Sequence, residues 1–136
     1  MKMKKTAYWI TTAWVAIVMA ISGSLAIIHQ PAMMKGLAHL GYPVYFSNLL
    51  GFAKVIGVIV LLVPRQVRLK EWAYASFGIT IISASYSHLQ SGDGAIALEP
   101  LITLAALAAS YLLRPTDRIF LLPSSFATAT TRENIQ

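Results

Sequence analysis

The chain has 136 residues, of which 57% are hydrophobic and only 12% charged, with a net charge of +6 at neutral pH. That composition excludes an ordinary soluble domain and a disordered chain alike, because so much apolar surface with so few charges collapses or partitions into lipid. With no cysteine, the chain can hold no disulfide, iron–sulfur cluster or zinc–thiolate site, so any redox chemistry depends on a bound cofactor or a partner subunit.

The first apolar segment covers residues 8–28 after Lys2, Lys4 and Lys5. About 20 apolar residues cross the hydrocarbon, so it is long enough to span. A cleaved secretory leader is the competing reading, with Ser24-Leu25-Ala26 as the cleavage site. The apolar run exceeds a leader's core, however, and Trp9 and Trp14 suit an anchoring helix. A connecting stretch follows, broken by Pro31, Gly36, Gly41 and Pro43; its middle, residues 32–40, reads as a short amphipathic segment lying on the membrane.

The second span, residues 44–63, ends at Pro64 and carries Lys54 near its middle. Arg65, Arg68 and Lys70 form a short basic loop, and Glu71 opens the third span, residues 71–89, where an early carboxylate complements the helix dipole. Ser76, Thr80, Ser83 and Ser87 share one face of that span, as do small residues at tight helix contacts; Gly51 and Gly57 invite the same account. Residues 90–94 form a polar turn. The fourth span, 95–113, needs Glu99 and Pro100 in its first turns to reach sufficient length, a place where proline is tolerated. Residues 116–136 make a tail, with an apolar patch at 119–122 expected at the interface and disorder expected at the end.

Lys and Arg are distributed nine to one across alternate connections: Lys2, Lys4, Lys5, Arg65, Arg68, Lys70, Arg114, Arg118 and Arg132 against Lys35. The positive-inside rule then places both termini in the cytoplasm. The expectation is an all-α, integral membrane four-helix bundle whose positive charge sets its topology. No basic helix or stacking platform in an aqueous segment supports a nucleic-acid partner.

Lys54 is the most informative position, since a cation near the bilayer centre costs about 2.5–3.5 kcal/mol on insertion scales. Either its stem snorkels toward water, or it faces the bundle interior and meets a counter-group. The interior reading is favoured, with Asn48, Glu99, Tyr86 and His88 at comparable outer depths and Glu71 nearer the cytoplasmic side. Lys54, Asn48, Tyr86, His88, Glu99 and Glu71 are therefore the candidate polar-pocket residues, with Glu99 and then Glu71 as the lysine's expected carboxylate partners. The three histidines raise haem ligation, but none stands mid-span on an interior face. No phosphate-binding loop, zinc-protease pair or nucleophile elbow is present, which argues against a self-contained hydrolase or nucleotide-using enzyme.

Leu40-Gly41-Tyr42-Pro43, Gly51-Phe52-Ala53-Lys54, Pro64, Arg68-Leu69-Lys70-Glu71-Trp72-Ala73-Tyr74 and His88 together resemble the DoxX-like family of small four-helix membrane proteins. The resemblance covers roughly residues 8–113. It implies a multi-pass bundle of the bacterial cytoplasmic membrane, and the family's polar pattern falls on Lys54, Glu71 and His88. The family name derives from similarity to a subunit of a thiosulfate:quinone oxidoreductase, which implies a quinone as one candidate ligand. Three functions follow as expectations: an accessory subunit holding a lipid or quinone-like molecule or docking a membrane or redox partner, a quinone-linked oxidoreductase subunit, and a small-solute carrier. The first is favoured; a homodimer suits the chain as well as a monomer does.

Overall fold

The computed structural model describes residues 2–119 and is helical throughout its ordered elements. Among the described residues there are five α-helices, one for each of the four expected spans and a short one between the first two: α1 (Lys2–Ile27), α2 (Pro31–His39), α3 (Val44–Leu62), α4 (Val67–Gln90) and α5 (Glu99–Leu112). The expected tail beyond Ile119, including most of the apolar patch and the disordered end, lies outside the described residues.

α1 packs against α3 and α5, and α4 packs against the same two, so the long helices close into a ring of four with α2 beside α1 and α3. The core is built from Val15, Ala16 and Met19 of α1, Val58 and Leu61 of α3, Tyr74, Phe77 and Ile81 of α4, and Leu107 of α5. Backbones approach closely at two points. A Cβ on Gly51 would stand 2.8 Å from the Gly23 carbonyl oxygen, and one on Gly57 would stand 2.6 Å from the Phe77 ring. The packing role expected of these two glycines is thus visible atom by atom. The hydroxyl face of α4 behaves otherwise. Ser76 and Ser83 are exposed, and the buried face is Ala73, Tyr74, Phe77, Ile81 and Ser85. Aromatic bulk with Ala73 and Ser85 as small gaps fills the interior better than hydroxyls alone.

The polarity of the molecule is inverted relative to a soluble bundle. Ile10, Ile17, Ile21, Leu49, Ile56, Ile79 and Ile102 are exposed, while Thr12, Ser47, Lys70, Ser85, Thr103 and Ser110 are buried. Apolar side chains on the outside need an apolar surrounding, and the buried polar atoms all have hydrogen-bond partners among the described residues. Three segments are long and apolar enough to cross a membrane: α1, α3, and 94–112. α4 is not among them, because its first turns carry Arg68, Lys70 and Glu71 and the rest of it includes Tyr74, Tyr86 and four serines.

Element ends follow local chemistry. Pro31 starts α2 where a break was expected, because proline is compatible with the first helical turn, and the Gln30 side chain accepts from the Met33 amide at 2.8 Å. The fourth apolar segment begins with a 3₁₀ turn, Gly94–Leu98, which continues into α5 with Pro100 in its first turn. Lys70, expected in a basic loop, lies within α4 and is fully buried. Its ammonium donates to the carbonyls of Leu61 at 2.7 Å, Val60 at 2.9 Å and Val63. α3 stops before Pro64 with its last carbonyls unpaired within the helix, and the buried cation satisfies them.

Candidate functional site

α3 is about 28 Å long, and Lys54 stands about 15 Å from its N-terminal end, near its middle. The side chain is half-buried and does not point into the apolar exterior. It lines a cavity of about 340 Å³ walled by α1, α3, α4 and α5, with Met33 of α2 at one side. His88 and Glu99 line the same cavity, as do Ser22, Thr80 and Thr103. Thr80, expected on a packing face, therefore belongs to the cavity wall.

The interactions within this cavity are sparse. Lys54 Nζ donates to Ser22 Oγ at 3.1 Å, so the expected carboxylate partner is replaced by a neutral hydroxyl. Neither Glu99 nor Glu71 forms an ion pair with Lys54 among the described residues. Glu99 is exposed at the cavity's edge. A cation, a carboxylate and two threonine hydroxyls thus face one space without consuming one another's charge.

His88 connects this space to the adjacent turn. Its Nδ1 lies 2.5 Å from Asp93 Oδ2, and Asp93 Oδ1 lies 2.7 Å from His39 Nε2 on α2. These two contacts hold the Asp93 carboxyl below its ordinary value of 3.8, the His88 hydrogen bond being the larger cause. Tyr42 and Ser87 add a hydroxyl pair at 2.8 Å from the α2–α3 connection to α4. The same end of the bundle is therefore clasped at two points, beside the cavity.

The remaining candidates lie elsewhere. Asn48 is half-buried, 2.9 Å from His29 Nε2, where it ties the end of α1 to α3. Tyr86 is exposed on the apolar exterior of α4, since its position turns away from the buried face. Glu71 is at the opposite end of α4 from His88. α4 begins at Val67, so Glu71 does not open it and lies beyond its first turn; it pairs with Arg114 and accepts from Tyr111 Oη at 3.1 Å, and so answers a cation in the chain after α5 instead of a helix dipole.

Glu71 belongs to a polar network whose centre was not legible in the residue pattern. Thr12 and Ser110 hydroxyls meet at 2.6 Å, Tyr74 Oη lies 2.8 Å from Ser110, and Arg118 donates to Tyr8 Oη at 3.3 Å. Arg114 also lies 3.8 Å from the Tyr111 ring centroid, and Arg118 lies 4.8 Å from that of Trp9. The available signal was tyrosine and hydroxyl residues inside otherwise apolar helices, but partners 98 residues apart leave no trace in local spacing. Among the described residues no cluster of His, Asp or Glu has the geometry to hold a metal ion.

No curated protein and no solved structure matches the chain. The family model described as the DoxX-like family matches residues 10–110. Most of the chain is covered, including every residue that lines the Lys54 cavity, and the exterior is apolar: the protein belongs to the DoxX-like family and is a membrane protein of that family.

Proposed function

We propose that this protein spans the bacterial cytoplasmic membrane four times, with both termini in the cytoplasm, and holds an amphiphilic small molecule at the Lys54 cavity. The single observation that carries the ligand reading is Lys54 itself, a mid-depth cation whose only hydrogen-bond partner among the described residues is the Ser22 hydroxyl. Holding a cation there costs about 2.5–3.5 kcal/mol, and one neutral hydroxyl offsets little of that. A ligand carrying carbonyl or anionic oxygens, such as a lipid headgroup or a quinone-like ring, supplies the missing acceptor. Thr80 and Thr103 offer further hydrogen bonds. The cavity's volume, about 340 Å³, lies at the lower end of the range for small-ligand pockets, so the polar head enters and an apolar tail extends into the bilayer.

α4 serves as the fourth crossing in this reading. Its 24 residues reach about 36 Å, and its outward side chains include Trp72, Ile79, Ile82 and Leu89. Its charged residues cluster in the first turns, where Lys70 and Glu71 are satisfied inside the protein.

The test is chemical analysis of what accompanies the purified protein. Native mass spectrometry and an organic extract of the wild type should show one bound amphiphile per chain. Lys54→Leu should lose it by at least about tenfold, while thermal stability of the ligand-free protein in detergent should not fall, because the substitution removes a cation whose placement costs about 2.5–3.5 kcal/mol along with its one hydrogen bond to Ser22. Equal retention by Lys54→Leu would sink the reading. A quinone in the extract would assign the ligand to the redox class.

A further inference from the structure

A second, separate site stands at the end of the bundle where α1 begins. Lys2 and Lys5 are three residues apart on one face of α1, and Trp9 and Ala13 continue that face at helical spacing. Two depressions meet at this lysine pair. One is a cavity of about 540 Å³ between Lys2, Lys4 and Lys5 and the chain leaving α5, including Thr116. The other is a groove of about 600 Å³ that runs down the exterior of α1 from Lys2 and Lys5 past Trp9 to Ala13.

The charges differ in how they are answered. Arg114, which also lines the first cavity, is paired with Glu71. Lys2, Lys4 and Lys5 form no ion pair among the described residues, and no carboxylate lines either depression. A cationic recess that continues into an apolar groove matches one chemical class. A free anion would fill the recess and leave the groove open, and an uncharged lipid would leave the lysines unanswered.

We propose that the recess and groove form a binding site for an anionic phospholipid, its phosphate held by Lys2, Lys4 and Lys5 and one acyl chain lying along the Trp9–Ala13 groove. The site rests on the proposed orientation, which puts these lysines at the anionic cytoplasmic leaflet. It is independent of the Lys54 cavity, which lies at mid-depth on the other side of α1. Basic recesses between helix ends are suited to such headgroups because the phosphate gains charge-assisted hydrogen bonds there while its chains stay in lipid.

The test is native mass spectrometry of the full chain equilibrated with equal amounts of phosphatidylglycerol and phosphatidylcholine. The wild type should retain phosphatidylglycerol preferentially. Lys2→Gln combined with Lys5→Gln should lower that preference about thirtyfold, the factor corresponding to about 1 kcal/mol per lysine near the membrane surface. Ala13→Phe, which fills the groove and leaves every charge in place, should weaken phosphatidylglycerol retention, and equimolar inorganic phosphate should not displace it. All these positions are exposed, so the variants fold. An unchanged preference in the lysine variant, unchanged retention in Ala13→Phe, or displacement by inorganic phosphate would each overturn the proposal. Lys54→Leu should leave the preference intact, so failure of the Lys54 reading is seen separately.

Discussion

Two lysines inside the same bundle illustrate how differently one residue type can be accommodated. Lys70 is enclosed by carbonyls at the end of α3, whereas Lys54 meets one hydroxyl beside an open cavity. Removing the first should therefore harm stability and removing the second should harm binding. Lys70→Met is expected to destabilise by about 2–3 kcal/mol, since it strands buried acceptors that no other group reaches; thermal denaturation in detergent measures it. Gly57→Ala addresses packing at the same scale. Its Cβ would stand 2.6 Å from the Phe77 ring, so a loss of about 1–3 kcal/mol is expected from overpacking. Phe77→Leu in combination should recover part of it, seen as a favourable coupling in a double-mutant cycle. No recovery would place the strain elsewhere.

At the scale of elements, the short helix α2 depends on tethers more than on burial, for Leu37 is its one buried residue. His39 of α2, Asp93 of the turn after α4 and His88 of α4 form the main tether. Because the Asp93 carboxyl is held below 3.8, the folded state favours its ionised form. The stabilisation it contributes is present above that ordinary value and disappears as pH falls through the lower folded value. Backbone hydrogen exchange in α2 should consequently stay slow from neutral pH down to about 4 and accelerate below it, after correction for the intrinsic pH dependence. Asp93→Asn should show fast exchange in α2 at neutral pH already. Equal protection in both proteins would mean that Tyr42–Ser87 and local packing hold α2 without the histidines.

For the whole molecule the central expectation is orientation, argued from nine basic residues on one side and Lys35 on the other. The chain has no cysteine, so single cysteines can be introduced without background. Gly92→Cys, in the turn after α4, should react with an impermeant thiol reagent from outside intact cells, and Gln66→Cys, between α3 and α4, should not. Labelling of Gln66→Cys alone would invert the topology, and labelling of both would remove α4 as a crossing.

Much of this protein is decided by its residues in order. Three apolar spans, the all-α class and the short helix between the first two were readable because hydrophobicity and proline or glycine punctuation act locally, within about one helix length, and the family was readable from short motifs such as Arg68–Tyr74. Lys54 likewise announced itself, since a mid-span cation violates the local pattern. Which groups surround it was decided only by tertiary structure. Whether Glu71, Asn48 and Tyr86 share a space with Lys54 depends on the rotation of each helix about its axis, which depth alone does not specify. That rotation is set by contacts such as Gly51 against Gly23 and Gly57 against Phe77. With the helices so packed, His88 and Glu99 face the cavity and Tyr86 the exterior. Tertiary structure also buried Lys70, which linear order had placed in a loop, because a helix that stops at a proline leaves carbonyls that a neighbouring cation can satisfy.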